Sequence, residues 1–210
     1  MENLEKKIAQ SLLQIKAIKL QPTNHFTWAS GWNSPIYCDN RKTLSYPDIR
    51  NEIRDNFVKL IKENYGIPDV IAGVATGAIA IGVLVAEALN LPFVYVRPKP
   101  KEHGLGNMIE GEILTGKKVV VIEDLISTGK SSLKAVEALR NANVEILGMV
   151  AIFSYSFQIS EQNFKDSDVT IKTLSNYDVL IKAALESGYI KETDLEALRN
   201  WRLDPGNWKK

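Results

Sequence analysis

Two adjacent acids stand between an apolar run and a glycine-containing turn in VVVIEDLISTGKSS, residues 119–132. Glu123 and Asp124 can accept hydrogen bonds from hydroxyl groups, and the small residues at 127–129 permit a tight turn. A helix that begins at Lys130 would direct backbone N–H groups at this turn, where they could bind a phosphate. The pattern therefore suits a ligand with both hydroxyls and a phosphate, such as a ribose 5-phosphate.

Two other interpretations of this segment must be weighed. A nucleotide-triphosphate P-loop requires G-x-x-x-x-G-K-[ST], and with Gly129 and Lys130 as its GK pair the first glycine would fall on Asp124. A carboxylate there would repel a triphosphate, so a P-loop is excluded. The other interpretation, a helix cap preceded by a solvated acidic pair, stays open.

A second small-residue turn occurs in GVATGAIA, residues 73–80, where Thr76 and Gly77 precede an apolar helical pattern. The turn could form another cradle of N–H groups. It could equally be an ordinary connection from strand to helix with a threonine cap.

A basic segment, YVRPKPKEHGLGN at 95–107, carries Arg97, Lys99, Lys101 and His103 among prolines and glycines. Such a segment is usually a solvated loop. Beside a phosphorylated ligand it could act as a mobile cationic lid that neutralises a departing anion and excludes water.

The aromatic segment FTWASGWNSPIYCDNRK, residues 26–42, is rich in turns and predicts short strands that form a hood. Tyr37 could stack on a flat base. Alternatively, Tyr37, Trp28 and Trp32 pack only in the core of the hood.

Apolar spacing predicts the elements that would position these residues. Leu4, Ile8, Leu12 and Ile15 indicate a first amphipathic helix, and Asp48 is expected to be the N-cap of a second. The remaining pattern predicts strands at 69–74, 93–97, 119–122, 144–153 and 169–173, and helices at 78–89, from 130, at 176–187 and at 192–201, with Gly188 as a C-cap. This alternation predicts an α/β fold whose central sheet is mostly parallel and flanked by helices, with a small N-terminal hood.

The 210 residues are expected to form a single domain: helix and hood at 1–45, α/β core at 46–175 and C-terminal helices at 176–210. The formal net charge of +1 gives no support for a nucleic-acid partner. No stretch is apolar enough to suggest a membrane partner, and the N-terminus MENLEKKIAQ is too charged for a signal peptide. Cys38, the single cysteine, fits a reducing, cytoplasmic location.

Residues 119–132 resemble the phosphoribosyl-pyrophosphate (PRPP) signature of type I phosphoribosyltransferases, and the rest of the chain narrows the resemblance to the orotate phosphoribosyltransferases. That family transfers the phosphoribosyl group of PRPP to orotate, which gives orotidine 5′-monophosphate and pyrophosphate in pyrimidine (UMP) biosynthesis. The resemblance implies a type I phosphoribosyltransferase fold, Mg²⁺ held mainly through PRPP and water with no direct protein ligand, and a homodimer.

The resemblance also assigns roles to residues. Lys101, Asp124 and Glu123 would be catalytic, and Lys101 and His103 would serve the partner's site across the dimer interface. Ser127 and Tyr37 would bind orotate. The implied PRPP contacts are Arg97, Lys101, His103, Glu123, Asp124, Leu125, Ile126, Ser127, Thr128, Gly129, Lys130, Ser131, Thr76 and Gly77.

This chain departs from the family pattern at three places. Pro98 stands where many members have a lysine, so that Lys99 would have to substitute, and Ala29 replaces another lysine, for which Arg41 or Lys42 could compensate. After Phe153 the chain reads SYSF and lacks the arginine that pairs with the orotate carboxylate. Recognition of that carboxylate would then rest on Ser127 and backbone N–H groups.

Two rival functions stay open. The chain could be a phosphoribosyltransferase for a purine base, although the hood and the loop KPKEHG argue against it. It could also be a PRPP-binding regulatory protein of the same fold that acts on nucleic acid, which the near-neutral charge and the loop cations disfavour.

Overall fold

The computed structural model describes residues 2–28, 31–99 and 108–209. The chain divides into two compact units, one formed by Met1–Thr43 with Ser175–Lys210 and the other by Leu44–Leu174. These boundaries fall within two residues of the predicted limits at 45 and 175, whereas the prediction of a single domain stays a prediction.

Seven α-helices lie in the described residues: α1 (Glu2–Gln14), α2 (Pro47–Tyr65), α3 (Ile79–Leu89), α4 (Lys130–Asn141), α5 (Gln158–Asp166), α6 (Tyr177–Glu186) and α7 (Leu195–Leu203). The same residues contain ten strands: β1 (Ile18–Leu20), β2 (Phe26–Thr27), β3 (Asn33–Ser34), β4 (Ile36–Cys38), β5 (Val70–Val74), β6 (Phe93–Val96), β7 (Ile109–Glu110), β8 (Lys118–Ile126), β9 (Glu145–Ser154) and β10 (Ile171–Asn176).

A six-stranded sheet in the order β10-β9-β8-β5-β6-β7 organises the unit Leu44–Leu174, and the end of β10 extends into the other unit. β5 pairs in parallel with β6 and β8, and β8 pairs in parallel with β9, while β7 is antiparallel to β6. Val119 to Ile122 are fully buried, as expected for a β-branched strand covered on both faces. The predicted α/β fold with a mostly parallel sheet is therefore confirmed.

The unit formed by the two chain ends contains the hood strands. β1 pairs with β4 and β2 pairs with β3, both antiparallel. α1 contacts α6, and the indole of Trp201 in α7 is fully buried. Among the described residues, no helix combines the length and the apolar composition needed to cross a bilayer.

Several predicted boundaries were wrong. α2 begins at Pro47 with Tyr46 as its N-cap, so Asp48 lies inside the first turn; proline suits this position because the N–H that it lacks would have no helical partner. The strand predicted at 169–173 is β10, at Ile171–Asn176. A 3₁₀ turn at Glu192–Asp194 precedes α7, and the C-cap of α6 is Ser187, with Gly188 following it at φ 70°.

Candidate active site

The signature strand continues through the two acids. β8 runs to Ile126, and α4 starts at Lys130 after a short turn. Gly129 is the N-cap of α4 in the left-handed conformation, with φ 78°, which glycine adopts without a steric penalty. Because Gly129 has no side chain to cap the helix, the first N–H groups of α4 suit an anion.

The signature residues that resemblance assigns to PRPP differ in exposure. Ile126 is almost fully buried, so its side chain belongs to the core. Leu125, Ser127 and Thr128 are half-buried, whereas Lys130 and Ser131 are exposed on the first turn of α4. The predicted phosphate turn thus presents its last two side chains to solvent.

The Glu123 carboxylate is tied to α4. Its Oε2 accepts a hydrogen bond from Ser132 Oγ at 2.8 Å, and its Oε1 accepts one from the backbone N–H of Asp124 at 2.9 Å. Both Glu123 and Ser132 are buried, with 4% and 1% of their surfaces exposed. Sequence reasoning missed Ser132 as a site residue, because nothing in its spacing shows that it returns to a side chain nine residues earlier.

Burial raises the pKa of the Glu123 carboxyl well above its ordinary value, and the neighbouring Asp124 charge raises it further. The hydrogen bonds from Ser132 and the Asp124 N–H act in the opposite direction. A carboxyl held in so costly a place is typical of functional sites. The two adjacent acids therefore occupy different environments.

The turn after β5 meets Asp124. The Asp124 carboxylate occupies the space that a Cβ on Gly77 would need, so only glycine permits this approach. β5 and β8 are neighbours, with Gly73 opposite Ile122, which places both turns at the same edge of the sheet. The structure thus brings together two of the predicted PRPP-binding segments.

The threonine cap considered for this turn is not formed. Ala78, which has no polar side-chain atom, is the N-cap of α3, and Thr76 is exposed. The peptide bond between Ala75 and Thr76 is cis. Thr76 and Gly77 thus form a turn that precedes the helix and is not part of its capping.

The basic loop leaves β6 and returns along β7. The backbone N–H of Arg97 donates to Met108 O at 2.8 Å, and the Arg97 Nη1 lies 3.5 Å from Glu110 Oε1. Lys99 is exposed. Lys101 and His103, like Ala29 in the hood, lie outside the described residues, so their predicted roles stay predictions.

Tyr37, the predicted stacking residue for orotate, lies on β4 in the unit of the two chain ends and is 40% exposed. Its ring centroid is 5.7 Å from that of Phe26. Trp28 packs instead in an edge-to-face contact with the buried Trp201 and donates its Nε1 to Ile36 O at 2.9 Å. Trp28 is therefore part of the hood core, whereas Tyr37 retains an accessible ring.

The segment that lacks the family's arginine is hydroxylic and aromatic. Ser154, the last residue of β9, accepts a hydrogen bond from the Ser156 N–H at 3.0 Å, and the Tyr155 N–H donates to Ile126 O at 3.0 Å. The rings of Tyr155 and Phe157 stack with centroids 5.4 Å apart. This arrangement ties the end of β9 to the residue just before Ser127.

Comparison with known proteins bears directly on this site. The phosphoribosyl transferase domain family matches residues 43–182. A Bacteroides fragilis protein named orotate phosphoribosyltransferase is 60% identical over 209 residues, covering 100% of this chain and 99% of its own. One of that name from Cytophaga hutchinsonii is 58% identical, covering 99% and 100%. The crystal structure of orotate phosphoribosyltransferase from Aeropyrum pernix, 24% identical, covers 88% of this chain and 99% of its own with a TM-score of 0.75, which supports the fold.

Proposed function

We propose, from the premise that this chain belongs to the orotate phosphoribosyltransferases, that it transfers the 5-phosphoribosyl group of PRPP to orotate. The products are orotidine 5′-monophosphate and pyrophosphate, in the pyrimidine pathway to UMP. The observation that carries the proposal is the approach of Asp124 to Gly77, since it joins a carboxylate that suits ribose hydroxyls to a turn that suits pyrophosphate.

The proposed chemistry needs no nucleophilic side chain, because a ring nitrogen of orotate attacks C1 of the ribose and pyrophosphate leaves. Asp124 holds the ribose hydroxyls, with Glu123 beside it. The N–H groups of the turn at 127–131 bind the 5′-phosphate, and Thr76 and Gly77 bind pyrophosphate. Catalysis then comes from positioning and from stabilisation of charge.

The loop after β6 is proposed to supply the cations for pyrophosphate departure. Arg97 stands at the start of this loop, with Glu110 as a partner across the strand pair. Lys101 and His103 follow from the resemblance alone. Ser127 and Tyr37 are proposed to bind orotate, Tyr37 because its exposed ring suits a flat base.

Mg²⁺ is proposed as the cofactor, held mainly through PRPP and water. Among the described residues, no three His, Cys, Asp or Glu side chains are grouped as a metal-ion site. The half-buried Asp124 carboxylate, which is proposed to hold the ribose hydroxyls, adds negative charge beside the Gly77 turn, and this charge favours a cation that is held through PRPP and its own waters. When bound, Mg²⁺ would neutralise negative charge on the pyrophosphate group.

A homodimer is proposed in which Lys101 and His103 act on the partner's site. The outer face of α3 is a suitable contact for a second copy: the helix, IAIGVLVAEAL, contains one charged residue, Glu87, and leaves Val83 45% exposed. A helix with so little charge is normally covered by other protein over most of its surface. A cytoplasmic location is also proposed, because the single cysteine suits a reducing compartment.

The test is a panel of bases. Pyrophosphate release is measured from PRPP and Mg²⁺ with orotate, adenine, hypoxanthine or xanthine. The proposal requires release with orotate and none with the purines. Release with a purine alone would favour the rival transferase, and a salt-dependent gel shift with RNA or DNA, without release, would favour the regulatory protein.

A further inference from the structure

Helix α5 supports the phosphate turn from behind. Asn163 Nδ2 donates a hydrogen bond to the carbonyl oxygen of Thr128 at 2.9 Å. The next residue, Phe164, is buried, and a Cβ on Gly129 would come within 2.8 Å of its Cε2. Two consecutive residues of a helix outside the signature therefore contact two consecutive residues of the turn.

The contact from Asn163 sets the direction of a backbone donor. The peptide between Thr128 and Gly129 is trans, and in a planar trans peptide the C=O and N–H bonds point in opposite directions. Because Asn163 holds the Thr128 carbonyl towards α5, the Gly129 N–H points away from α5. This N–H belongs to the turn that is proposed to bind the 5′-phosphate.

The position of α5 is itself fixed against α4. The guanidinium of Arg140, in the last turn of α4, donates to the carbonyl oxygens of Ser167 at 2.8 Å and Asp168 at 3.0 Å, just beyond the end of α5. α4 is thus tied to the second half of α5 from both of its own ends: through Arg140 in its last turn, and through Thr128, just before its first residue, which accepts from Asn163. These hydrogen bonds limit how far the Thr128 carbonyl can rotate.

We propose that Asn163 is a positioning residue for 5′-phosphate recognition, acting through the Thr128–Gly129 peptide. The inference rests on the proposed function, since it takes the turn at 127–131 to be the 5′-phosphate site. The inference predicts different effects at the two ends of PRPP. Loss of the Asn163 amide weakens binding of the 5′-phosphate and leaves the pyrophosphate turn at Thr76 and Gly77 intact. A purely structural asparagine would affect both ends alike.

The experiment compares Asn163→Ala and the near-isosteric Asn163→Asp with a matched control, Gln162→Ala. Gln162 is the adjacent amide, is exposed and donates to Asp166 Oδ1 at 2.6 Å, so its loss also removes one hydrogen bond from α5. Calorimetry with Mg²⁺ measures the affinity for two separate probes, ribose 5-phosphate and pyrophosphate. Steady-state kinetics with PRPP and orotate, and the Tm, are measured in parallel.

We expect Asn163→Ala to weaken ribose 5-phosphate binding and to raise the KM for PRPP, each by up to about tenfold, because one part-buried hydrogen bond is lost. Asn163→Asp should weaken ribose 5-phosphate binding and raise the KM for PRPP by larger factors, because its carboxylate repels the phosphate and the Thr128 carbonyl. Pyrophosphate affinity and kcat should stay within about twofold of wild type in both, and Gln162→Ala should match wild type throughout.

Unchanged ribose 5-phosphate affinity in a folded Asn163 variant would overturn the inference. Equal weakening of both probes with a lower Tm, or failure of both Asn163 variants to fold, would likewise overturn it in favour of a purely structural role. Wild-type turnover is the separate control for the proposed function: an inactive wild-type protein contradicts that function, whereas an active enzyme indifferent to Asn163→Asp contradicts only the inference.

Discussion

At the scale of single residues, two neighbouring acids differ in what surrounds them. Successive side chains of a strand point to opposite faces, so Glu123 meets Ser132 of α4 while Asp124 meets the Gly77 turn. Asp124 is the more accessible of the two. The structure therefore favours Asp124 for direct contact with a ligand, whereas Glu123 is held by Ser132 of α4.

Neutralising either acid should lower activity. Asp124→Asn keeps the shape but loses the charge that suits two ribose hydroxyls, so both PRPP binding and turnover should fall; Glu123→Gln should also lower turnover. Steady-state kinetics checks this, with Glu112→Gln, an exposed acid outside the site, as the control. If both variants stay within about twofold of wild type, the signature has been assigned to the wrong chemistry.

The raised pKa of Glu123 gives a pH-dependent prediction for stability. Because the folded protein holds this proton more tightly than the unfolded chain, the Glu123 contribution to stability is lost as pH rises from about 4.5 through the folded-state pKa. Glutamine cannot lose a proton. The Tm of Glu123→Gln should therefore rise relative to wild type as pH increases above about 4.5.

Thermal melts at a series of pH values measure this difference. Glu112→Gln, at an exposed position, supplies the baseline for replacing a glutamate by glutamine. A Tm difference for Glu123→Gln that is flat or shrinks with rising pH would show that the buried carboxyl keeps an ordinary pKa.

At the scale of elements, the apolar strands and long helices could be predicted from sequence, because buried β-branched runs and helical spacing are local signals. The length of β8 could not: its acids look like a turn, yet pairing of Leu125 with Phe153 and Ile126 with Ser154 on β9 keeps the chain extended. The two-residue strand β7 was missed for the same reason, since it exists only through its pairing with β6.

The same distinction holds for the site. The signature, the Gly77 turn and the basic loop could be found from residue types and spacing. Ser132 and Asn163 could not, because their functional meaning lies in contacts with Glu123 and Thr128 that are distant in sequence. Local patterns located the groups that are proposed to face the ligand, and only the folded chain identified the residues that contact those groups.

The loop after β6 should act on the transition state. Lys101→Ala should lower kcat by raising the activation barrier by about 2 to 4 kcal/mol, because the negative charge on pyrophosphate grows as the bond to C1 breaks. The affinity for PRPP should change less. Kinetics and direct PRPP titration separate the two effects. An effect confined to the KM for PRPP would contradict this role. Lys99 is an exposed lysine near the start of the loop, and Lys99→Ala tests whether the loss of any loop cation lowers kcat in the same way.

At the scale of the whole molecule, the proposed dimer makes the loop of one copy serve the other. An isologous interface repeats each contact twice, so both sites form together. The outer face of α3 is a suitable surface for such an interface, because this helix has only one charged residue and exposure of its apolar side chains to water is unfavourable.

Subunit mixing tests this assembly. A Lys101→Ala chain is mixed with an Asp124→Asn chain, and each variant alone is expected to be nearly inactive. In the proposed dimer each site uses Asp124 of one chain and Lys101 of the other. One site of the heterodimer therefore carries both substitutions and the other site carries neither, so activity should recover towards about half of wild type per heterodimer. If the subunits demonstrably exchange and activity stays at the parental level, the loop serves its own subunit.

The most direct test of the central claim is the stoichiometry of one reaction. Wild-type protein is given PRPP, Mg²⁺ and orotate, and three quantities are followed together: orotate consumed, pyrophosphate released and orotidine 5′-monophosphate formed. A phosphoribosyl transfer predicts equal molar amounts of all three and no pyrophosphate release when orotate is omitted. Pyrophosphate release that does not depend on orotate, or orotate left unconsumed while PRPP is broken down, would contradict the account.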